Sequence, residues 1–210
     1  MMEAAAQYWR QRARDYDRAR EPGAWVEHYW NSWRAPYRLA LAEALARVLP
    51  HDHSTVLEVG CHVGPNLRLW RDRWARLRLM GFDVSPEAVA AAKAHFAGDP
   101  GVHVWEEDLL DGFTLPVADV IVSCYALAYV PPHFVVPVAR RLREAARVAL
   151  VLAEPLVLGG AAAGLCEYEV EEYRHDWAGA FEDLGALVNV KPIPVVDRLN
   201  GILTAEWRAP

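Results

Sequence analysis

The sequence predicts an α/β domain with a seven-stranded, mostly parallel sheet, helices on both faces and an antiparallel hairpin at its C-terminal end. Over residues 55–66, a short apolar strand pattern ends in a glycine turn and passes directly into a helix pattern. Residues 118–124 form a near-continuous apolar run, which is typical of a parallel strand covered on both faces. The last two strand patterns, within residues 186–207, are separated by Asn200-Gly201, a strong hairpin signal.

The composition is that of a globular protein without a large basic surface. The chain has 210 residues, 24% charged and 53% hydrophobic, which fits one domain or one domain with a small extension. A net charge of −6 argues against a broad nucleic-acid or anionic-membrane surface, so we expect no DNA or membrane partner and favour a small molecule over RNA. No apolar run approaches the roughly 20 residues of a membrane span, and the N-terminus lacks a signal-peptide core. We therefore expect a cytoplasmic monomer or homodimer.

The three cysteines predict neither a disulfide framework nor a metal site. They are Cys61, Cys124 and Cys166, an odd number without Cys-x-x-Cys spacing. We interpret them as small buried side chains and expect no bound metal.

Residues 1–50 are predicted to form a helical cover over the sheet domain of residues 51–210. Helix patterns run over residues 1–20, 24–32 and 37–48. Four of the nine tryptophans fall within the first 35 residues, namely Trp9, Trp25, Trp30 and Trp33. Because each indole has a polar tip that needs a partner, this density fits a lid over a ligand. The alternative, in which the rings only attach helices to the sheet, stays open.

The remaining elements alternate between strand and helix patterns, as a parallel sheet requires. After the glycine turn come a helix over 66–76, a strand over 77–83, a helix over 86–96, and strands over 102–105 and 118–124. Ser85, Pro86 and Glu87 give the second helix an N-cap, a first-turn proline and a first-turn acid. A helix over 134–147, a strand over 148–153, a connection over 156–165 and a helix over 167–184 then lead to the final hairpin.

The turn after the first strand is the best candidate for a ligand site. Gly60 ends the strand, Gly64 follows four residues later, and Pro65 fits the first helical turn, where its missing N–H is no loss. Such a turn brings backbone N–H groups and a helix N-terminus up to a ligand. Glu58, inside the strand, repels pyrophosphate and attracts a cation. The turn therefore suits a ligand that carries an ammonium or sulfonium group.

The run Glu58-Val59-Gly60-Cys61-x-x-Gly64 resembles the first motif of the class I S-adenosylmethionine-dependent methyltransferases, an acid two residues before a glycine-rich turn. The resemblance implies a Rossmann-like methyltransferase sheet, S-adenosyl-L-methionine as cofactor and S-adenosyl-L-homocysteine as product. It also implies cofactor contacts from Glu58, Gly60, His62, Gly64 and Asn66. The chain departs from the family at His62, where the family has its middle glycine. If that position needs a positive φ, histidine is costlier than glycine but not excluded.

Acids at later strand ends fall where the same family binds the adenosine. Asp83 ends the second strand about twenty residues after the turn, and the resemblance implies that its carboxylate accepts the ribose hydroxyls, with Val84 beside it. After the third strand, Asp108-Leu109 is the implied adenine-binding pair, and Glu107 is a competing register.

Two further cofactor contacts are implied by the resemblance. Ser123 lies near the end of the fourth strand. Tyr16 lies in the run from Trp9 to Asp17, which resembles a family segment whose aromatic residue approaches the carboxylate of the cofactor.

The methyl acceptor is expected beside the segment that follows the fourth strand. Methyl transfer from a sulfonium is an in-line displacement, so the protein mainly aligns the acceptor and excludes water. A general base is needed only where the acceptor must lose a proton, as a hydroxyl does. The candidates are Tyr129, His133, Glu154 and His175, and we favour Tyr129 and His133 because they follow the fourth strand.

One motif near these candidates points elsewhere. Pro131-Pro132-His133-Phe134 is similar to the Pro-Pro-aromatic motif of DNA and protein amide methyltransferases, in which the prolines directly follow the strand. Here the prolines come several residues too late, so we reject methylation of amino groups on DNA bases.

The predicted function is methyl transfer from S-adenosylmethionine to an oxygen or nitrogen of a small metabolite. A nicotinamide-dependent oxidoreductase would need Gly-x-Gly-x-x-Gly, and this chain has His62 in the second place and no glycine in the third. A methyltransferase-like binding or regulatory protein without catalysis is a second alternative, which His62 supports. RNA methylation is a third, through arginines within residues 68–78 or 140–147.

Overall fold

The computed structural model describes residues 5–12, 24–32, 35–156, 165–167, 171–195 and 198–207. The helices are α1 (residues 5–12), α2 (Ala24–Asn31), α3 (Pro36–Val48), α4 (Pro65–Arg73), α5 (Pro86–His95), α6 (Val135–Ala145) and α7 (Trp177–Glu182). The strands are β1 (Thr55–Val59), β2 (Arg78–Asp83), β3 (Val102–Glu106), β4 (Ala118–Cys124), β5 (Ala146–Pro155), β6 (Leu165–Glu167), β7 (Glu171–Tyr173), β8 (Leu187–Val195) and β9 (Arg198–Glu206).

Seven of the strands form one sheet in the order β3-β2-β1-β4-β5-β9-β8. The first five are parallel, and β9 runs antiparallel between β5 and β8. The predicted sheet, mostly parallel with an antiparallel C-terminal pair, is confirmed. Because the chain order reverses direction at β1 and β4, a crevice opens between their carboxyl ends, where α/β sheets bind ligands.

The sheet buries both of its faces. Neighbouring residues of β4 point to opposite faces, so that Val120 packs in one cluster and Ile121 in the other. The Val120 cluster includes residues of α3, α4 and α5, and the Ile121 cluster includes residues of α6 and α7. This two-sided burial explains why β4 has an apolar run without polar alternation.

Helix α2 of the predicted cover is attached to the sheet domain by aromatic contacts. Trp25 and Trp30 are its buried residues. The Trp30 ring lies 3.9 Å from the His95 ring, centroid to centroid, and the Arg68 guanidinium lies 5.0 Å from its centroid. These contacts hold α2 against α4 and α5. No helix among the described residues is long and apolar enough to cross a bilayer.

The turn from β1 to α4 has three residues with positive φ, namely Gly60 at 69°, His62 at 51° and Gly64 at 80°. Gly64 must be a glycine for packing as well, because a Cβ there would lie 2.7 Å from Cε2 of Phe96. His62 occupies the left-handed region that glycine occupies freely, although histidine is among the residue types that tolerate it. The turn therefore keeps its glycine-like course despite the substitution.

The predicted helix over residues 167–184 is wrong in its first half. Among the described residues of this range, 171–173 form β7, which pairs with β6 in a separate two-stranded sheet, and α7 is the helical part. The pairing of β7 with β6 overrides the local helix pattern. Helix α7 begins where Asp176 accepts a hydrogen bond from the Gly179 N–H at 2.8 Å.

The predicted hairpin turn at Asn200-Gly201 is also wrong. Both residues lie inside β9, where Gly201 pairs with Glu154 on one side and with Pro192 on the other. A Cβ on Gly201 would lie 2.9 Å from Cδ1 of Leu156, so this glycine permits close packing rather than a turn. The two strands instead meet at the Val195–Arg198 pair.

Candidate active site

The carboxyl ends of the parallel strands and the helices α1, α2 and α3 line a cavity of about 450 Å³. One side, the strand-end wall, comprises residues 58–62, 82–84 and 107–110. The opposite side, the cover wall, comprises Ala5, Ala6, Trp9, Tyr29, Tyr37 and Arg38. Residues 124–130 after β4, the post-β4 segment, contribute Tyr125, Tyr129 and three smaller side chains. The volume is within the usual range for a site that encloses a small molecule.

Asp83 is held rigidly at the strand-end wall. Its carboxylate accepts the backbone N–H of His62 at 2.8 Å and that of Ser85 at 2.9 Å. Burial raises the pKa of Asp83 to about 6, and the backbone N–H groups partly oppose this. Each carboxylate oxygen retains acceptor capacity beyond these bonds, so the geometry leaves room for the predicted ribose hydroxyls. Val84 lines the cavity beside it.

Glu58 is linked through a buried amide, that of Asn66, to the guanidinium of Arg38 in α3. The Asn66 side chain donates from Nδ2 to Glu58 at 2.5 Å and accepts a hydrogen bond from Nη1 of Arg38 at 2.8 Å. Oε2 of Glu58 and Nε of Arg38 are buried without a hydrogen-bond partner, although both residues line the cavity. Burial raises the pKa of Glu58 to about 8, against the lowering effect of Asn66 and Arg38. The carboxylate of Glu58 and the guanidinium of Arg38 therefore each have one polar atom without a hydrogen bond.

His62 faces the helical cover. Its ring centroid lies 4.1 Å from that of Tyr29, 5.1 Å from that of Trp25 and 5.8 Å from that of Trp9. Its Nδ1 is buried without a partner. Burial, together with the positive charge of Arg38, lowers the pKa of His62 to about 3, so the ring is neutral. The side chain that departs from the family motif thus packs in an aromatic cluster contributed by the cover.

Both candidate adenine-binding acids, Glu107 and Asp108, line the cavity. Asp108 accepts the Leu110 N–H at 2.9 Å and forms an ion pair with Arg10 of α1 at 3.5 Å. The Glu107 N–H donates to the Asp83 carbonyl at 3.0 Å. Leu109 also lines the cavity, so the predicted pair and its competitor stay as alternatives.

Of the favoured catalytic candidates, Tyr129 lies in the cavity wall and His133 does not. The Tyr129 hydroxyl donates to Glu172 of β7 at 3.0 Å, and the Trp9 ring lies 5.4 Å from the Tyr129 ring. Burial and the charge of Glu172 raise the pKa of Tyr129 well above its usual value. His133 is exposed on a short 3-10 helix. Sequence reasoning missed Glu172 because it lay in the predicted helix over 167–184.

Three other candidate residues, Ser123, Glu154 and His175, stabilise the post-β4 segment and its strand through hydrogen bonds. Glu154 is fully buried and accepts the Ser123 hydroxyl at 2.7 Å together with the backbone N–H groups of residues 126, 127 and 128. His175 is 4% exposed and hydrogen-bonds through Nε2 to the Val130 carbonyl at 2.7 Å. Ser123, Glu154 and His175 are not among the residues that line the cavity, and neither is Gly64. Tyr16 and Trp33 lie outside the described residues.

Tyr125, next to this support, has an unusual backbone. Its φ is 60°, and its N–H donates to the Ala153 carbonyl at 3.0 Å. Left-handed conformations of bulky residues persist only where surrounding contacts fix them, and they are common at functional sites. In the described part of the chain, no group of three or more His, Cys, Asp or Glu side chains is placed to hold a metal ion.

Comparisons with known proteins agree with this geometry. Residues 57–149 match the model of the family described as "Methyltransferase domain". The trans-aconitate 2-methyltransferase of Streptomyces avermitilis is 37% identical over 97 residues, which cover 44% of this chain. The matched part is only 36% of that relative's length, so the chain spans little more than a third of the curated relative.

Solved structures match a larger part of the chain. Magnesium protoporphyrin IX methyltransferase from Synechocystis with bound SAH superposes with a TM-score of 0.70 at 18% identity, covering 98% of this chain and 99% of that chain. An S-adenosylmethionine-dependent methyltransferase from Mesorhizobium loti gives a TM-score of 0.61 at 19% identity, covering 79% and 96%. At this level of identity the structural likeness concerns the fold.

Proposed function

We propose, on the premise that this chain belongs to the class I S-adenosylmethionine-dependent methyltransferases by its matched domain and its fold, that it methylates an oxygen or nitrogen of a small-molecule acceptor. S-adenosylmethionine, when bound, supplies an electrophilic methyl group on a sulfonium. Residues 51–210 form the catalytic domain in this proposal, and residues 1–50 form its cover. The cytoplasmic location and the monomeric or dimeric state belong to the same proposal.

The pair of unused polar atoms on Glu58 and Arg38 is the observation that carries the proposal. The amino-acid end of S-adenosylmethionine is a zwitterion, with an ammonium group and a carboxylate on one carbon. Glu58 suits the ammonium group and Arg38 suits the carboxylate, while Asn66 holds the two side chains at a fixed separation. A buried acid whose pKa is raised to about 8 gains most from a neighbouring cation, because the cation restores its charged form.

Asp83 and the acids after β3 complete the fit to the adenosine. Asp83 would accept the ribose hydroxyls, and Asp108 or Glu107 would accept a hydrogen bond from the adenine amino group. The carboxylates on the strand-end wall outnumber Arg38, the single cation that lines the cavity in the described part of the chain. This excess of negative charge suits a ligand with a net positive charge.

The chain's own contribution to the reaction is alignment, exclusion of water and, for a hydroxyl acceptor, removal of a proton. Tyr129 remains the favoured residue for the proton because it lines the cavity and already donates to Glu172. The acceptor proton would pass to the Tyr129 oxygen as the Tyr129 proton passes to the Glu172 carboxylate. The raised pKa of Tyr129 suits such a relay, since the phenol stays neutral before and after it.

A concave cavity of about 450 Å³ favours a small acceptor over a macromolecule. The names of similar proteins include trans-aconitate and magnesium protoporphyrin IX, both small molecules, which supports the same class for this chain. An RNA acceptor has less support, because Arg71 binds Asp99 at 2.8 Å and Arg141 donates to the Leu109 carbonyl at 2.5 Å instead of lying free on the surface.

The alternative of a binding protein without catalysis rested on His62 closing the turn. His62 instead points its ring at the cover, beside a cavity of about 450 Å³, which favours the enzyme.

A thermal-shift titration with S-adenosylmethionine, S-adenosylhomocysteine and NAD tests the cofactor. We expect the two adenosyl ligands to raise Tm by several degrees at about 100 times Kd, where binding adds ~2.7 kcal/mol, and NAD to leave it unchanged. Stabilisation by NAD alone, or by none of the three, would contradict the proposal.

A further inference from the structure

We propose that His62 fastens the helical cover to the glycine-rich turn, so that docking of α1 and α2 and binding in the cavity form one coupled equilibrium. His62 is a positioning residue in this inference, because it acts through the cover. The inference rests on the proposed function only where it names S-adenosylhomocysteine as the ligand.

The first support is the position of the side chain between the two parts. The His62 backbone belongs to the turn, and its N–H donates to Asp83 at 2.8 Å. Its ring contacts Trp9 of α1 as well as Trp25 and Tyr29 of α2, with centroids 5.8, 5.1 and 4.1 Å away. Both cover helices therefore converge on one side chain of the turn.

The second support is the backbone conformation at this position. With φ at 51°, a glycine would fit without strain, and a side chain makes the turn harder to form. The ring contacts with the cover are what offset this cost. A residue selected only for the turn would not need a ring with a buried, unpartnered Nδ1.

The third support is that one ligand would touch both parts. The cavity is lined by Gly60 and His62 of the turn, by Ala5 and Trp9 of α1, and by Tyr29 of α2. A ligand that contacts the turn and the cover binds the docked state more tightly than the undocked state, and it therefore favours docking. By reciprocity, loss of docking lowers the affinity of the ligand by the same factor.

The same contacts make the coupling depend on pH. The charged groups around the His62 ring are Arg12 of α1, His28 of α2 and Arg38 of α3, while Asp83 accepts its backbone N–H. Burial disfavours a protonated ring most, the positive charges of Arg38 and Arg12 add to it, and together they lower the pKa of docked His62 to about 3. The pKa of a histidine in the undocked state is about 6.5. Docking is therefore strongest above that pH and weakens as the pH falls below it, because the undocked ring then gains a proton that the docked ring does not bind.

Amide hydrogen exchange with and without S-adenosylhomocysteine tests the coupling directly. In the wild type we expect the ligand to slow exchange in α1 and α2 at least tenfold. His62→Gly should lose most of this slowing in both helices and bind the ligand about tenfold more weakly by calorimetry. His62→Phe, which keeps a ring, should retain the slowing within about threefold.

His95→Ala is the matched control, because His95 also contacts α2, with its ring 3.9 Å from Trp30, but has no ring contact with His62. We expect it to keep the ligand-induced slowing in α1. Exchange in β4 shows whether each variant is folded, and His62→Asn replaces His62→Gly if the glycine variant is not. Full ligand-induced slowing in a folded His62→Gly or His62→Asn protein would overturn the proposal.

Failure of the proposed function gives a different result. If calorimetry detects no S-adenosylhomocysteine binding to the wild type, the cofactor assignment fails, but the fastening by His62 is still tested without ligand. Exchange in α1 should then be faster in His62→Gly than in the wild type and in His62→Phe. Equal rates in the three proteins would overturn the inference.

Affinity measurements at several pH values distinguish titration of the His62 ring from titration of the cavity acids. We expect the ratio of wild-type to His62→Phe affinity for S-adenosylhomocysteine to fall about tenfold between pH 7.5 and pH 5.5, because only the wild type loses docking through protonation of the ring. Titration of Asp83 affects both proteins and cancels in the ratio. A ratio that does not change with pH would contradict this part of the inference.

Discussion

The two walls of the cavity differ in chemistry and in construction. The strand-end wall has fixed carboxylates, such as Asp83 with its two backbone donors at 2.8 and 2.9 Å. The cover wall is mainly aromatic and meets the rest of the molecule through ring contacts, such as that of Trp9 with Tyr129 at 5.4 Å. We propose a division of work, in which the carboxylates of the strand-end wall, together with Arg38, recognise charge and hydroxyl groups and the aromatic rings of the cover wall exclude water.

The largest effect is expected at the strand-end wall. Asp83→Ala should weaken S-adenosylhomocysteine binding at least about 100-fold by calorimetry, because two charge-assisted hydrogen bonds to the ribose are lost. The domain should stay folded by circular dichroism. Asp111→Ala is a suitable control, since Asp111 is exposed and outside the cavity lining. Unchanged affinity in Asp83→Ala would show that Asp83 does not bind the ribose, and that the strand-end wall does not recognise the ligand in the way proposed.

The buried acids of the strand-end wall also predict an unusual pH dependence of stability. The pKa values of Glu58 and Asp83 are raised to about 8 and about 6, so the folded state binds protons that the unfolded state releases. Stability without ligand should therefore fall as the pH rises from about 4.5 to 8, by on the order of 4 kcal/mol from Glu58.

Thermal unfolding of the wild type and of Glu58→Gln at pH 6 and pH 8 measures this slope. The wild type should have the lower Tm at pH 8, and Glu58→Gln should show a smaller difference between the two values. A Tm that rises with pH in the wild type, or an equal slope in the variant, would show that Glu58 titrates normally.

The proposed catalytic residue, Tyr129, lies where the cover wall meets the post-β4 segment. For a hydroxyl acceptor found by screening, Tyr129→Phe should lower kcat about 100-fold, because the proton relay to Glu172 is lost. Affinity for S-adenosylhomocysteine should change less than about threefold, since Tyr129 is not placed on the adenosine or the amino-acid end. His133→Ala should keep its activity. Equal losses in kcat for the Tyr129 and His133 variants would argue against the relay.

The smallest effect is expected from the cover wall. Trp9→Ala removes ring contacts with His62 and Tyr129 and should lower S-adenosylhomocysteine affinity by about threefold to tenfold. Tm should stay close to that of the wild type, because α1 is not part of the two sheet clusters. Trp9→Phe should recover most of the affinity. A loss as large as that of Asp83→Ala would mean that the aromatic rings of the cover wall also recognise the ligand.

The sequence was most informative where a candidate residue follows directly from a strand. The positions of Glu58, Gly60 and Asp83 at one sheet edge could be predicted because strand, turn and helix signals locate them without knowledge of long-range packing. For Arg38 the sequence leaves open whether the side chain faces solvent or a ligand. Its buried position depends on the hydrogen bond to Asn66, which lies 28 residues further along the chain.

The C-terminal region shows a second limit of sequence reasoning. Gly201 belongs to a strong turn signal, but its neighbour Leu156 is brought close only by the pairing of β5 with β9. Glu172 was assigned to a helix, although β7 places it beside Tyr129. In both cases tertiary packing overrides a local pattern, and the acceptor side of the cavity is therefore harder to predict than the cofactor side.

A crystal structure of the chain with S-adenosylhomocysteine gives the most direct test of the proposed binding mode. We predict the ribose hydroxyls on the Asp83 carboxylate, the ammonium group at Glu58 and the amino-acid carboxylate at Arg38, with Trp9 and Tyr29 closing the opposite side. A ligand bound elsewhere, or an amino-acid end without contact to Glu58 and Arg38, would contradict it.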